Sequence, residues 1–565
     1  MYKSKLGETL KNKAFLYITF VILILQNNLY AEKSNLLNQV NKELDRQQRD
    51  DLKKDNLHMF KPKTTLELPN IEESKKIEVN NSCIYIKQTI LNINLKILPP
   101  NDLYERLENK CVNINDIQLL LSDINKFYQK EGLITTRAYV PQQNIKSGIL
   151  QITIIAGVLS DYKYSDGSKI DNRIKSAFPI NIGEVINLRD LEQGVDNFNL
   201  PSSQQGKIEL VPAQNQGESF VVMQQNNNKP WKINLTTDNS GYESTGKYKG
   251  YVGITYDNLI NFNDTLNLSF NQNIDDDKNK KRTKSENIYY TIPYENWLFS
   301  YAYYHHKYHR IIQGINEQYY VDGYSNVNSF EINRLLYRDQ TARVKLFTNL
   351  SLKESRNYIE DFEIETQRRD LTILDIGISG DDSISNATIY YTFGTKFGLN
   401  IFGAMDDIPG VAVSKSKTYH TKFSSQLPLF ENKFYFYTTL GAQYSPHELA
   451  GSEQFGVGGR YDVRGFHEDS LYGNSGAYLR NEIETALQNY NFFKIKYFIG
   501  LDAGMVKDSK TMTWSSNKIV GASIGTRFAI TDYLNADLTF SKALERPDEF
   551  EASKNQIYFN INIEF

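Results

Sequence analysis

From Trp231 to Phe565 the sequence repeats one kind of segment, a run of about 9–14 residues in which apolar and polar side chains alternate. Sixteen such runs are legible: 231–239, 247–257, 264–273, 285–294, 296–309, 325–338, 341–353, 369–380, 385–396, 417–428, 433–445, 476–488, 492–505, 518–530, 533–542 and 555–565. A period of two sends successive side chains to opposite faces of a strand. Runs of this length suit a strand that crosses a bilayer at a tilt. In the last run, Ile557, Phe559, Ile561, Ile563 and Phe565 face one way, while Tyr558, Asn560, Asn562 and Glu564 face the other. In 492–505, Ile495, Tyr497, Ile499, Leu501 and Ala503 oppose Lys494, Lys496, Gly500, Asp502 and Gly504, and Phe498 is the one exception on the polar face. An even strand count, an apolar outside, a polar inside and aromatic residues near strand ends predict a transmembrane β-barrel of 16 antiparallel strands. Aromatics make up 13% of the chain, which suits the interfacial girdles of such a barrel. A soluble sandwich would turn its apolar face inward and use shorter strands.

The first 31 residues read as a secretory signal peptide: Lys3, Lys5, Lys11 and Lys13 precede an apolar core at Ala14–Leu25, and Leu29-Tyr30-Ala31 suits cleavage. The core is too short for a spanning helix, which needs about 20 residues. Removing the signal takes away four Lys and one Glu, so the net charge moves from −3 to −6, a mild acidity that does not suit nucleic-acid binding. Residues 32–60 are polar and favour helix, with Leu36, Leu37, Val40 and Leu44 on one face, although an unstructured arm fits the same composition. Residues 61–81, with Pro62 and Pro69, read as a linker.

Residues 82–156 and 157–230 predict two successive α+β units with similar element order. The first has strands at Cys83–Leu91, Thr135–Val140 and Gly148–Ile155 around a helix at Ile114–Glu131. The second has a strand at Ser160–Tyr164, helices at Ile170–Phe178 and Leu188–Phe198, and strands at Lys207–Val211 and Ser219–Gln225. Cys83 and Cys111, the only cysteines, fall in the exported part, where an even pair reads as a disulfide. A zinc site would need more ligands than these two, and no metal or cofactor is expected.

One connection stands out. Residues 446–475 form a long loop, and Gly456–Arg480 reads GVGGRYDVRGFHEDSLYGNSGAYLR. A loop this long is usually functional or disordered, and six glycines with Val463, Arg464, Gly465 and Phe466 among them argue for a compact turn. An Arg on such a turn suits a bidentate bond to a fixed carboxylate in a confined space, although an isolated Arg-Gly-Phe is more often solvated. Two other features suggest catalysis or metal binding less well. Gly521–Gly525 matches Gly-x-Ser-x-Gly around Ser523, but it lies inside a strand and not on a strand-to-helix turn. His305 and His309 share a strand face that His306 opposes, with no carboxylate to complete a site.

Residues 82–565 resemble the outer-membrane transporters of two-partner secretion, the haemolysin-activator and filamentous-haemagglutinin-transporter group of the barrel-assembly superfamily. The resemblance is carried by GLITTRAYVPQQNIKSGILQITIIAG at 132–157, AFPINIGEVINLRDLEQGVDNFN at 177–199, DNSGYESTGKYKGYVGITYDN at 238–258, VRGF at 463–466 and FIGLDAG at 498–504. It implies a plug helix at 32–60, two periplasmic POTRA domains at 82–156 and 157–230, and a barrel at 231–565. It also implies that the long loop enters the lumen and sets Arg464 on Asp502, and strand parity likewise turns Asp502 inward. Two cysteines at these places resemble the members whose first POTRA domain is cross-linked. The implied function is secretion of a large exoprotein with an N-terminal secretion domain, a haemolysin or an adhesin. Whether the exoprotein is also activated stays open. Outer-membrane lipids, periplasmic chaperones and the barrel-assembly machinery are the other implied partners. The alternative within the superfamily is a barrel-insertion factor, a role that usually comes with more than two POTRA units. No enzyme activity is expected.

Overall fold

The computed structural model describes residues 64–66, 83–275, 280–313, 317–407, 413–490, 492–507, 517–548, 550 and 555–565. The expected signal, plug helix and nearly all of the linker therefore lie outside the described residues.

Sixteen long strands close into one antiparallel barrel. They are β1 (Trp231–Asp238), β2 (Lys249–Asp257), β3 (Thr265–Asn273), β4 (Lys281–Tyr294), β5 (Trp297–Gln313), β6 (Gln318–Arg338), β7 (Ala342–Ile359), β8 (Arg369–Ile384), β9 (Ala387–Leu399), β10 (Lys417–Leu429), β11 (Phe434–Tyr444), β12 (Ser475–Thr485), β13 (Lys494–Lys507), β14 (Lys518–Ala529), β15 (Leu534–Glu545) and β16 (Asn555–Glu564). Each pairs with its neighbours in sequence, and β16 returns to β1. The seam holds five residue pairs, Asn560–Asp238 to Glu564–Asn234, against eight between β1 and β2. Reciprocal main-chain bonds between Ile233 and Phe565 and an ion pair between Lys232 and Glu564 at 2.9 Å extend it.

The alternation works as expected: Ile499, Leu501, Ile524, Phe540 and Ile557 lie exposed on the outer wall, while Asp502, Ser523, Ser541 and Tyr558 are buried on the inner one. The sequence-based strand ends differ most between β5 and β8. There β6 reaches 21 residues, because Gln318–Tyr324 continues the ladder, with Val321 buried among Tyr308 and Ile312, where the expected run began at 325.

Both α+β units are present. In the first, the sheet runs Gln88–Ile93, Ile149–Ile155, Arg137–Tyr139 against the helix Ile114–Lys130. That helix starts at a capping box between Asn113 and Asp116 and buries Leu120, Ile124 and Tyr128. The single strand expected at Cys83–Leu91 is two. Ile84–Ile86 pairs with Lys110–Val112, and the chain then turns at Lys87 to join the main sheet. In the second unit, the sheet Val158–Tyr164, Glu218–Asn227, Gln204–Pro212 packs on helices Asn172–Ala177 and Leu188–Phe198.

The second unit is fixed to the barrel by three inter-strand turns. Asn263 donates to the Arg173 carbonyl at 2.7 Å, and the Glu295 amide donates to the Ser176 carbonyl at 2.7 Å. Arg338 and Arg343 converge on Asp196 at 2.7 and 2.9 Å, with Glu192 3.3 Å from Arg338. The short described piece of the linker lies at this junction, where the amides of Thr64 and Leu66 donate to Asp196 and Glu192.

Candidate functional site: a loop bound inside the barrel

The connection between β11 and β12 folds into the lumen. It carries a small hairpin of its own, Phe455–Val457 with Leu471–Gly473, which the glycine-rich sequence does not announce. At its tip the backbone turns through Gly465, whose φ of +102° is a conformation that L side chains rarely adopt. A Cβ there would also meet the backbone of Lys542 and Ala543 at 2.8 Å.

Arg464 is 2% exposed and Asp502 is completely buried. Arg464 Nε donates to Asp502 Oδ2 at 2.7 Å and Nη2 to Oδ1 at 2.9 Å, the bidentate fork that fits a carboxylate. The Arg464 main-chain amide adds a bond to Oδ2 at 3.1 Å. Nη1 donates to Glu482 of β12 at 2.7 Å, and Nη2 also reaches the Asn481 carbonyl at 3.1 Å. Glu482 in turn binds Arg527 of β14 at 2.6 Å, and Arg527 also pairs with Glu484. The site is thus a network of alternating charges on three neighbouring strands, which Arg464 joins from the loop.

Phe498 finds its reason here. Its buried ring lies under two guanidinium groups, 4.3 Å from Arg527 and 5.7 Å from Arg464. Cations over an aromatic face are held by the ring quadrupole. The glycines of the Gly-x-Ser-x-Gly match have steric reasons too. A Cβ on Gly521 would sit 1.7 Å from the Arg464 carbonyl oxygen, and one on Gly525 would sit 2.4 Å from the Phe498 ring. The histidines divide as parity suggests: His306 is buried beside Ser285, while His309 pairs with Asp322 on the other face.

Val463 and Phe466 are fully buried in an apolar cluster with Val457, Leu471, Val506 and Ile519. Further along the loop, Arg460 binds Asp537 of β15 at 2.6 Å and the Phe559 carbonyl of β16 at 3.0 Å. His467 stacks on Tyr242 and bonds the Gly241 carbonyl of the first hairpin. Across the lumen, Glu453 accepts from Lys353 of β7 at 2.5 Å. In the first α+β unit, Cys83 and Cys111 are joined, with Cα atoms 5.4 Å apart.

Sequence reasoning named Val463, Arg464, Gly465, Phe466 and Asp502, and the structure brings all five together. It missed Glu482, Arg527 and Arg460. Strand parity on β12 and β14 would turn the first two inward, but it would turn several other polar residues inward as well.

A sixteen-stranded barrel with two POTRA units and an inward loop tied to its wall defines a class, the outer-membrane transporters built on a POTRA-and-barrel plan. Residues 217–528 match the haemolysin secretion/activation protein family ShlB/FhaC/HecB, and the chain belongs to that family. Residues 92–157 match a POTRA domain of ShlB type, and residues 158–212 match a further POTRA domain. The chain is 27% identical over 470 residues to the outer membrane transporter CdiB-2 of Burkholderia pseudomallei strain 1026b, covering 81% of this chain and 79% of that one. It is 25% identical to the hemolysin transporter protein HpmB of Proteus mirabilis, covering 76% and 77%. The solved structure of CdiB from Escherichia coli superposes with a TM-score of 0.83 at 23% identity, over 95% of this chain and 99% of that one, which bears on the fold. The protein is an outer-membrane transporter of two-partner secretion, a pore through which a partner exoprotein leaves the cell.

Proposed function

We propose that the cargo is one large exoprotein, a haemolysin or an adhesin, with an N-terminal secretion domain. Strands Gln88–Ile93 and Val158–Tyr164 are sheet edges in the two POTRA units, and such an edge can hold an extended segment by main-chain bonds with loose demands on sequence. The barrel supplies a wet path, and folding of the cargo outside biases its movement without ATP. We assign no catalysis, metal or cofactor to the chain, and periplasmic chaperones would deliver the cargo.

The observation that carries this reading is the Arg464–Asp502 fork, completed by Glu482, inside the barrel. A lumen used only as a membrane anchor has no need of a loop tied down by a buried charge network. In our reading Val463, Arg464, Gly465, Phe466 and Asp502 form a lock that holds the loop in its working position. The disulfide staples the first POTRA domain, and residues 32–60 narrow the resting pore.

The test is to read the neighbouring reading frames for a large secreted protein with an N-terminal secretion domain, to express the chain with it and to follow that protein in the medium. Release that depends on this chain is expected. Equal release without the chain would overturn the proposal.

A further inference from the structure

On the outer wall of the barrel, near its periplasmic rim, stands a cation for which the described residues offer no anion. Lys353 of β7 holds Glu453 of the loop and so marks the lumenal side; Leu346, of opposite parity on the same strand, faces out. Register carries that outward face to Arg334 of β6, Trp297 of β5 and Tyr294 of β4 on one side, and to Ile378 of β8 on the other. Arg334 is exposed, and its guanidinium makes no hydrogen bond or ion pair with any described residue. It lies over the indole of Trp297, 4.8 Å from the ring centre. The level of the pair is fixed by its neighbours. The Glu295 amide, just before Trp297, bonds Ser176 of the second POTRA unit, and Arg338, one strand end further on from Arg334, binds Asp196 of the same unit.

The surroundings are those of a lipid-facing wall. Tyr294, Phe299, Ile332, Leu336, Leu346 and Ile378 are all exposed around the pair, and Phe299 stacks on Trp297 with ring centres 6.3 Å apart. A charge on such a wall is destabilising at the bilayer midplane and tolerated near an interface, where a long side chain reaches the headgroups. Tryptophan and tyrosine collect at the same level. A second pair of this kind stands where the second POTRA unit runs into β1: the Lys229 ammonium lies 5.0 Å from the ring centre of Trp231. Trp231 and Trp297 are the two tryptophans among the described residues, and each carries a cation.

We infer that Arg334 and Trp297 form a binding site for the phosphate of a glycerophospholipid in the periplasmic leaflet. The indole holds the guanidinium by its face, through the ring quadrupole. The N–H donors of a guanidinium lie in its plane, so stacking leaves them free around the edge. Two of them match two oxygens of a phosphodiester, the same fork that fits a carboxylate. The ring therefore fixes the orientation of the donors before the ligand arrives, and a lipid bound there would lay its acyl chains over Phe299, Ile332, Leu346 and Ile378, the apolar side chains next to the pair. Lys229 on Trp231 offers a point charge without the fork and is the weaker of the two places.

The test titrates dioleoyl phosphatidylglycerol into the full-length protein, delipidated in mild detergent, and counts bound lipid by native mass spectrometry. Arg334→Gln should weaken the tightest site about tenfold. Arg334→Lys, which keeps the charge and loses the fork, and Trp297→Leu, which removes the ring, should each weaken it several-fold. Lys307→Gln removes an exposed cation from the outward face of β5 at its other end and should leave the affinity within about twofold. Dioleoylglycerol, which lacks the phosphate, should not compete, and inorganic phosphate should compete only at far higher concentration than the lipid. Unchanged affinity in Arg334→Gln, an equal loss in Lys307→Gln, or displacement by dioleoylglycerol would overturn the inference. Displacement by inorganic phosphate as readily as by the lipid would show an anion site that no bilayer fills, and would overturn it too. Heat-modifiable barrel is measured for every variant. If Arg334→Gln does not assemble, Arg334→Lys and Trp297→Leu carry the test, and full affinity in both overturns the inference.

Discussion

The carbonyl oxygen of Arg464 occupies the space that a side chain on residue 521 would need: a Cβ built on Gly521 lies 1.7 Å from it. Loop and wall therefore meet backbone to backbone at this point. Gly521→Ala should push the loop tip off the wall without changing any charge, at an overpacking cost of about 1–3 kcal/mol. The expected outcome is a normal amount of heat-modifiable barrel with secretion reduced several-fold. Secretion at the wild-type level would show that the loop works without this contact.

Arg464→Ala and Asp502→Ala should each abolish or strongly reduce secretion while the barrel still assembles. Each leaves a buried partner uncompensated, at about 3–5 kcal/mol. The double variant should be little worse than either single one, because both break the same contact. Arg464→Lys should fail as well, since an ammonium cannot make the two-point fork to Asp502 and reach Glu482 together. The measurement is secreted partner per unit of folded barrel.

Cys83 and Cys111 enclose 27 residues, and closing such a loop contributes about 3 kcal/mol. Mass spectrometry of the non-reduced protein should find no free thiol. Reduction should raise hydrogen exchange in the helix Ile114–Lys130 and leave the barrel strands unchanged.

The second POTRA unit should respond to mild acid. Burial pushes the Asp190 carboxyl up to about 6; Glu184 adds to the shift and Arg338 opposes it. The folded value is above the unfolded one, about 3.9, so the ionised carboxylate costs stability at neutral pH. That cost shrinks as pH falls through 6 and is gone below about 4. Asp190→Asn should therefore stabilise this unit by about 2 kcal/mol at pH 7.5 and hardly at all at pH 4. Hydrogen exchange of the amides in Leu188–Phe198, corrected for the intrinsic rate at each pH, would show it.

The barrel was legible because a membrane-facing ladder enforces its period of two at nearly every strand. It became hard to read at the far ends of β5 to β8, where the strands run past the expected ones and outward positions such as Asp322 are polar, so the apolar half of that pattern is lost. Arg464 and Asp502 could be named from the loop composition, strand parity and family resemblance. Glu482 and Arg527 could not, because choosing them among the inward charges of β12 and β14 needs the cross-strand register Glu482–Gly500–Ser523, a relation between distant segments. Phe498 looked like an error in the alternation until the two guanidinium groups above it were placed.

Closure of the barrel joins the two ends of a long stretch of chain. Lys232 meets Glu564 across 332 residues of sequence. Until Asn555–Glu564 is in position, the growing sheet has two open edges, at β1 and at whichever strand was added last, each with a row of unmet main-chain donors and acceptors. Contacts so distant in sequence form slowly. The protein must therefore spend part of its maturation as an open ribbon that other strands can join, and its safe arrival depends on how well its first and last strands are kept from foreign partners until they find each other.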